Sequence, residues 1–406
     1  MRKKQKPRIV LLENIHVGAK NALEEAGYDV ELLSDSPSGT ALDEALRGAQ
    51  VLGIRSKTQV TAEVLKRHPS LELIGCFCIG TDQVDLKRAN AMGIPVFNAP
   101  HSNTRSVAEL VIAEIVALSR QLGDRNTNAH KGVWTKSAEG AHEVRGKTLG
   151  IVGYGHIGSQ VSVLAEAFGM KVLFYDVVKK LPLGNSQSVS KISDLLKASD
   201  FVSLHVPDTV QTRGMIGTKE LRAMKKGAAL INASRGTVVD IEALADSIRS
   251  GALSGAAIDV FPEEPASNKQ KFTSPLQGLP NVILTPHIGG STLEAQEAIG
   301  LEVAASFIAY LTKGTTTGAV NFPMIDLPRV HEGTSRIINV HKNVPGVLGD
   351  INSIISEHGA NIQAQGLATD QTVGYLITDV SGAKSEELVK EISQLKTSLR
   401  TRSLLI

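Results

Sequence analysis

The chain has 406 residues, of which 42% are hydrophobic and 21% are charged, and its formal net charge is +2. This length exceeds what a single hydrophobic core organises, so we expect two or three domains. The balanced charge gives no electrostatic reason to expect nucleic acid or a membrane surface as a partner, and no stretch approaches the roughly 20 apolar residues of a membrane-spanning helix.

The amino terminus and the two cysteines indicate a cytoplasmic protein. The apolar run 9–12 ends at Glu13, which makes it too short for the apolar region of a signal peptide. Cys76 and Cys78 lie in an apolar segment typical of a buried strand, with no cluster of His, Asp or Glu beside them. We therefore expect neither a disulfide framework nor a metal site.

The first hundred residues alternate short apolar segments with segments of helical periodicity. The segments expected to form strands are 8–13, 29–33, 51–56, 71–80 and 94–100, and those expected to form helices include 61–67, 85–92 and a long amphipathic stretch at 102–120. Ser102, Asn103 or Thr104 is the expected cap of the long helix. This alternation predicts a parallel sheet covered by helices on both faces, of the flavodoxin-like kind.

A second alternating block begins at Lys147. Its expected strands are 148–153, 171–176, 200–206, 228–234, 256–260 and 282–285. Six strands with helices between them fit a complete Rossmann-type dinucleotide-binding domain. A helical stretch, 291–311, leads out of this block.

The pattern changes again from Arg336 onward. Strands are expected at 337–340, 361–368, 374–380 and 399–405, and helices at 345–358 and 385–395, with Pro345 in the first turn of the former. The order βαββαβ predicts an α+β, ferredoxin-like module.

A glycine-rich motif, Gly153-Tyr154-Gly155-His156-Ile157-Gly158, joins the first strand of the second block to a helix. Glycine at its three positions permits a tight turn, a close backbone approach to a pyrophosphate and close packing of helix on sheet. Asp176 ends the next strand, 18 residues after Gly158, where a carboxylate binds both ribose hydroxyls of NAD. The motif in this context predicts NAD as the cofactor.

Three polar residues follow three late strands of the same block: Arg235, Glu264 and His287. Because the carboxyl ends of parallel strands share one edge of a sheet, these side chains are expected to meet beside the nicotinamide. Histidine suits proton transfer near neutral pH, a carboxylate orients it, and arginine binds a substrate carboxylate. We therefore predict His287 as acid/base, Glu264 as its partner and Arg235 as substrate anchor.

The segments 232–236, 259–265 and 286–290 resemble the signature blocks of the D-2-hydroxyacid dehydrogenases. The resemblance implies that Arg235, His287 and the Glu directly before Pro265, which is Glu264 rather than Glu263, form the catalytic set. It also implies a set of NAD contacts, with 205–207 on the adenine side. Together with the motif residues, this set is Gly153, Gly155, His156, Ile157, Gly158, Asp176, His205, Val206, Pro207, Ala233, Ser234, Arg235, Asp259, His287, Ile288, Gly289 and Gly290.

Within this family, several segments resemble the members that oxidise 3-phosphoglycerate to 3-phosphohydroxypyruvate, the first step of serine synthesis. These segments are 54–58, 75–85, 98–100 and 102–106. Arg55 and Lys57 end the third strand of the first block, where a phosphate needs fixed positive charge. The family pattern adds Lys136, close to Trp134, which is expected either to anchor a subunit contact or to pack within its own chain.

The C-terminal module resembles an ACT domain, a unit that binds amino acids, through segments 341–348 and 359–362. The resemblance implies an effector site at His341, Asn343 and Asn361, with serine as the effector. Such sites usually form between two modules, so a homo-oligomer is expected. Among homo-oligomers, a tetramer is the expected form.

The expected organisation is therefore a discontinuous substrate domain at 1–103 and 290–331, an NAD-binding Rossmann domain at 104–289 and an ACT domain at 334–406. Two other functions stay open. One is a sister dehydrogenase acting on another 2-hydroxy or 2-keto acid such as 2-oxoglutarate. The other is a non-catalytic NAD-sensing binding protein.

Overall fold

The computed structural model describes residues 6–265, 270–328, 334–382 and 384–405. The chain divides into two compact units, Met1–Ser102 with Gln296–Ile406, and Asn103–Ala295. No helix in the described part of the chain is long and apolar enough to span a bilayer.

The first unit contains a five-stranded parallel sheet of order β2-β1-β3-β4-β5. Its strands are β1 (Arg8–Leu11), β2 (Asp29–Leu32), β3 (Val51–Ile54), β4 (Leu73–Cys76) and β5 (Val96–Asn98), and its helices are α1 (Val17–Glu25), α2 (Gly39–Ala45), α3 (Ala62–Arg67) and α4 (Leu86–Ala91). All four residues of β3 and of β4 are buried, as expected for strands covered on both faces. The flavodoxin-like prediction is confirmed, with each strand shorter than predicted.

The second unit contains a seven-stranded parallel sheet. Its strands are β6 (Thr148–Val152), β7 (Lys171–Tyr175), β8 (Gln187–Ser188), β9 (Phe201–Leu204), β10 (Ala229–Asn232), β11 (Gly255–Ile258) and β12 (Val282–Leu284). The order β12-β11-β10-β9-β6-β7-β8 is that of a Rossmann domain. Six of these strands were predicted, whereas the two-residue β8 was not.

The described residues of the second unit include six complete α-helices. They are α5 (Thr104–Arg120), α6 (Leu122–His130), α7 (His156–Ala167), α8 (Ile192–Ala198), α9 (Thr218–Ala223) and α10 (Ile241–Arg249). Val107, Val111 and Leu118 lie on one face of α5 at helical spacing and are buried in a core shared with β10 and β11. Asn103 is the N-cap residue of α5, but its side chain makes no capping hydrogen bond.

Helix α11 (Leu293–Lys313) precedes the C-terminal module. The elements of this module follow in the order βαββαβ, so the predicted ferredoxin-like order is confirmed. The module consists of β13 (Ser335–Lys342), α12 (Val347–Glu357), β14 (Asn361–Thr369), β15 (Val373–Ser381), α13 (Ser385–Gln394) and β16 (Ser398–Leu405), with an antiparallel sheet of order β14-β15-β13-β16. One prediction was wrong: Pro345 precedes α12 rather than lying in its first turn, because Gly346, at φ 92°, turns the chain before the helix begins.

Within the first unit, the C-terminal sheet shares a hydrophobic core with the five-stranded sheet. Ile338 and Tyr375 pack in the same buried cluster as Phe307 of α11. The Tyr375 hydroxyl donates a hydrogen bond of 2.7 Å to the carbonyl of Gly314, just after that helix. A buried bidentate pair, Arg336 with Asp379, lies on the same sheet, so the strands of the module are fixed both to one another and to α11.

Candidate active site

The glycine-rich loop between β6 and α7 has the backbone geometry that a pyrophosphate requires. Gly153 has φ 92°, and a Cβ there would collide with the carbonyl of His205. A Cβ at Gly158 would collide with the carbonyl of Gly153, whereas the space around Gly155 is open. The loop therefore presents bare backbone and the positive end of α7 on one side, which fits the pyrophosphate of a dinucleotide.

Asp176 lies at the end of β7 and is tied to this loop. One carboxylate oxygen accepts a hydrogen bond from the Tyr154 amide at 2.8 Å, and the other accepts one from the Val178 amide at 2.9 Å. Each oxygen retains a further lone pair, so the carboxylate is able to accept hydrogen bonds from a ribose as well.

Sequence reasoning missed the support that Tyr154 gives to the loop. Its side chain is buried, and its hydroxyl forms hydrogen bonds with the hydroxyls of Ser162 at 2.7 Å and Ser186 at 2.9 Å. Its ring stacks on Phe174 of β7 with a centroid separation of 3.8 Å. One tyrosine thus fixes the glycine loop to α7 through Ser162 and to β7 through Phe174.

His205, Val206 and Pro207, the residues predicted to lie on the adenine side, follow β9 directly. Its Nε2 forms a 2.9 Å hydrogen bond with the Ser203 hydroxyl. Its Nδ1 is buried without a partner among the described residues. Burial lowers the pKa of His205 to about 4, so this ring is neutral at physiological pH.

His287 and Glu264 meet at the carboxyl edge of the second sheet. Nδ1 of His287 lies 2.9 and 3.1 Å from the two carboxylate oxygens of Glu264. This hydrogen bond raises the pKa of His287, although burial acts in the opposite direction. Burial acts to raise the pKa of Glu264, but the hydrogen bond and charge of His287, the Phe261 amide and the charge of Arg235 together outweigh it, so the pKa of Glu264 is lowered. The pair therefore favours a carboxylate beside an imidazolium.

Arg235 follows β10 and stands close to this pair. Its positive charge contributes to lowering the pKa of Glu264 and opposes the rise in the pKa of His287. Its backbone carbonyl accepts a hydrogen bond from Asn232 at 3.0 Å, and the same amide side chain accepts from the backbone and hydroxyl of Ser234. Asn232, a buried residue that sequence reasoning missed, thus shapes the turn that presents Arg235.

The loop that carries His287 is held by the carboxylate of Asp259, which is 1% exposed. One oxygen accepts from the Thr285 hydroxyl at 2.6 Å and the Ile288 amide at 2.8 Å, and the other accepts from the Gly289 amide at 2.8 Å. His287 has φ 55°, a left-handed conformation that is uncommon for any residue with a Cβ. Strain of this sort persists only where the surroundings fix the backbone, as Asp259 does here.

A second buried acid, Glu114, was not among the predicted residues. It lies on α5, is 3% exposed, and neither carboxylate oxygen has a partner among the described residues. Burial, together with the negative charge of Asp259, raises the pKa of Glu114 to about 8. Glu114 is therefore largely protonated at neutral pH, and its ionisation places a second negative charge near Asp259, the carboxylate that holds the loop of His287.

The residues predicted to bind a substrate phosphate do not all lie in one unit. Arg55 and Lys57 follow β3 in the first unit. Lys136 lies in the second unit, on an exposed segment after α6 that also carries Trp134. Trp134 is 86% exposed, so it does not pack within its own chain.

The structure separates the three residues predicted for the effector site. His341 and Asn343 lie at one end of the C-terminal sheet, opposite Gly374 and Thr372. Asn361 pairs with Ser381 at the other end, roughly 20 Å away along an extended strand. His341 is 3% exposed and has its pKa lowered by burial, with Nδ1 2.9 Å from the side-chain oxygen of Asn339.

Among the residues that the structure describes, no group of three or more His, Cys, Asp or Glu side chains is arranged to hold a metal ion.

Comparisons with known proteins agree with this architecture. Residues 112–289 match the family of the NAD-binding domain of D-isomer-specific 2-hydroxyacid dehydrogenases, and residues 337–400 match an ACT domain like that of the AHAS small subunit. The solved D-lactate dehydrogenase of Aquifex aeolicus, in complex with NAD and lactic acid, is 32% identical with a TM-score of 0.67, covering 78% of this chain and 99% of that one.

Two relatives match over almost the whole chain. The D-3-phosphoglycerate dehydrogenase of Dictyostelium discoideum is 55% identical over 401 residues, covering 99% of this chain and 98% of that protein. The D-3-phosphoglycerate dehydrogenase of Escherichia coli K12 is 52% identical over 404 residues, with the same coverage. The chain belongs to the D-isomer-specific 2-hydroxyacid dehydrogenases, with an NAD-binding domain and a C-terminal ACT domain. The predicted enzyme class, cofactor and fold class are confirmed.

The raised pKa of Glu114 predicts a pH-dependent loss of stability. The folded chain retains the proton of Glu114 up to about pH 8, whereas the unfolded chain loses it near pH 4.5. The unfolding free energy should therefore fall by about 1.4 kcal/mol per pH unit between these values through this group alone. Glu114→Gln should remove this slope. Urea unfolding of both proteins between pH 5.5 and 7.5 measures the difference, and parallel curves would contradict the prediction.

Proposed function

We propose that the chain oxidises 3-phosphoglycerate to 3-phosphohydroxypyruvate with NAD, the first step of serine synthesis, in the cytoplasm. The observation that carries this proposal is the hydrogen-bonded pair of His287 and Glu264 beside Arg235, at the carboxyl edge of a dinucleotide-binding sheet. The names of the relatives that match the full length support the choice of substrate.

The side chains have distinct roles in this reaction. Arg235 binds the substrate carboxylate and polarises the carbonyl group that forms during the reaction. His287, in its neutral form, accepts the hydroxyl proton at Nε2, since Nδ1 faces Glu264. Glu264 orients the ring and stabilises the imidazolium that results. NAD, when bound, accepts the hydride.

Arg55, Lys57 and Lys136 are proposed to bind the substrate phosphate. Arg55 is partly buried and Lys57 is exposed at the carboxyl end of β3, where ligands of parallel sheets bind. Arginine binds a phosphate through two parallel hydrogen bonds, and lysine adds a compact charge. We further propose the functional division into 1–103 with 290–331 for substrate, 104–289 for NAD and 334–406 for regulation.

The substrate proposal predicts how three variants behave in an NADH assay with 3-phosphoglycerate and a trap for the ketone product. His287→Ala should lose on the order of 10²–10⁴ in rate, because no base remains to accept the proton. Arg235→Ala should lose activity on every 2-hydroxy acid, whereas Lys57→Ala should weaken binding of the phosphorylated one alone. His130→Ala, which changes an exposed histidine at the end of α6, is the matched control.

Equal turnover of unphosphorylated glycerate by the wild type would contradict the phosphate assignment. Turnover of 2-oxoglutarate without 3-phosphoglycerate would assign the sister dehydrogenase activity. NAD binding with no turnover of any 2-hydroxy acid would assign a sensing protein.

The raised pKa of His287 predicts the pH profile of oxidation. The reaction needs neutral His287, so kcat/KM falls as the pH drops below its pKa. Glu264→Gln removes the carboxylate that raises this pKa, and the acidic limb should move to lower pH while the maximal rate also falls. Glu263→Gln, at the exposed neighbouring carboxylate, should leave the profile unchanged. A Glu264→Gln profile that coincides with that of the wild type would refute the pairing.

We also propose that the ACT module binds serine between two copies of the chain and inhibits the enzyme, within a tetramer. Asn361 lies at the opposite end of the sheet from His341 and Asn343, so a site that uses all three needs two modules. The exposed Trp134 is a candidate for another contact between subunits.

The shared site predicts a complementation experiment. Asn343→Ala and Asn361→Ala should each abolish inhibition by millimolar serine while leaving uninhibited activity unchanged. Tetramers that mix the two variants should regain partial inhibition, because one of their shared sites has both asparagines. An activity and melting temperature that do not respond to serine in the wild type would end this proposal, and mixed tetramers without inhibition would place the site within one module.

A further inference from the structure

Residues 55–58, here called the basic loop, contain both positive charges proposed to bind phosphate in the first unit. Glu13, two residues after β1, is 8% exposed and accepts three backbone hydrogen bonds from this loop. The donors are the amides of Arg55 at 3.2 Å, Lys57 at 3.0 Å and Thr58 at 2.8 Å. Hydrogen bonds to a charged group are stronger than neutral ones, so three amide hydrogen bonds to one carboxylate hold the loop backbone firmly.

The other side of the loop backbone is held by Gln83, a buried residue on the segment between β4 and α4. Its side-chain amide donates a hydrogen bond of 2.5 Å to the carbonyl of Arg55, and it also contacts the Cys78 sulfur at 3.3 Å. The amide and the carbonyl of Arg55 are therefore both bound by side chains from neighbouring segments. The backbone at Arg55 is fixed on both sides.

Glu13 pays a conformational cost for this position. Its φ is 63° and that of Asn14 is 53°, so two consecutive residues with side chains adopt the left-handed conformation. Amide-to-carbonyl hydrogen bonds to Asp35 and Leu33 hold them there. Strained backbone of this kind clusters at ligand sites, where the surroundings fix it.

The amides of the basic loop form a concave group of donors of the type that binds anions in many proteins. Here Glu13 occupies that group, so the loop amides are not available to a phosphate. The side chains of Arg55 and Lys57 remain available, since within the described part of the chain neither takes part in a salt bridge. Phosphate recognition in this unit therefore depends on the conformation of the loop backbone, which sets the directions of the Arg55 and Lys57 side chains.

We infer that Glu13 and Gln83 are positioning residues for substrate phosphate: they hold the basic loop in the one conformation that presents Arg55 and Lys57 together. This inference rests on the proposed function. It assigns Glu13 a favourable effect on the binding of an anion, although its own charge is negative, because its effect acts through the backbone of the loop.

The test uses the full-length protein and compares Glu13→Gln, Gln83→Met and Arg55→Ala. Calorimetry gives the Kd of 3-phosphoglycerate in the presence of NADH, and steady-state assays give KM for 3-phosphohydroxypyruvate and for hydroxypyruvate. Glu13→Gln keeps the shape of the side chain but replaces one acceptor oxygen by an NH₂ group that faces amide donors. Gln83→Met removes the donor to Arg55 in a side chain of similar length.

Glu13→Gln should weaken binding of the phosphorylated compounds roughly 10- to 100-fold, the range for loss of hydrogen bonds to a charged group. Gln83→Met removes a neutral hydrogen bond to the Arg55 carbonyl and should weaken the same binding roughly 2- to 10-fold. KM for hydroxypyruvate and the affinity for NADH should change little. Hydrogen–deuterium exchange in a peptide that spans 50–62 should become faster in Glu13→Gln. Glu31→Gln, a surface carboxylate of the same sheet that pairs with Arg8, is the matched control and should behave as the wild type.

The outcomes separate the inference from the proposal beneath it. If Arg55→Ala leaves phosphate affinity unchanged, the proposed phosphate site is wrong. If Arg55→Ala weakens binding while Glu13→Gln and Gln83→Met leave it unchanged or tighter, the positioning role is wrong. Equal losses for hydroxypyruvate and its phosphorylated form would also overturn it, because they indicate general damage to the sheet. If Glu13→Gln does not fold, Gln83→Met tests the positioning role, because it removes the hydrogen bond to the Arg55 carbonyl and leaves Glu13 in place.

Discussion

The loop that carries His287 depends on one buried carboxylate, that of Asp259. It follows β11 directly, and its two oxygens bind a hydroxyl and two amides of the segment that follows β12. The parallel register of β10, β11 and β12 brings the three strand ends side by side, and Asp259 converts this rough proximity into a fixed position for His287. Hydrogen bonds of this kind are strengthened by the low dielectric of the interior.

Much of this arrangement was predictable because it follows from periodicity and from one topological rule. Alternating strands and helices predict parallel sheets, and parallel sheets place the residues after their strands at one edge. The meeting of Glu264 with His287 follows from that rule. The choice of Glu264 over Glu263 does not, since both carboxylates stand in the same turn and only the resemblance to a family separated them.

The features that were missed depend on tertiary contacts. Glu114 stands in a strongly apolar stretch of α5, and a lone acid on a buried helix face is a sequence signal for an unusual carboxyl group. Its proximity to Asp259, however, results from the packing of α5 on the strands of the second sheet, which the sequence pattern does not show. The network around Tyr154 joins residues 32 positions apart in the chain. Strand β8 has two residues, which is too short for any periodicity to show.

The left-handed backbone of His287 lowers stability at the position proposed to carry the proton transfer. Glycine would adopt that conformation at no steric cost, whereas a residue with a Cβ is disfavoured there by about 1–2 kcal/mol. A screen for thermal tolerance alone would therefore tend to replace the histidine, and with it the ring proposed to accept the substrate proton. Directed evolution of this scaffold for heat resistance needs a second selection that keeps the ring in place.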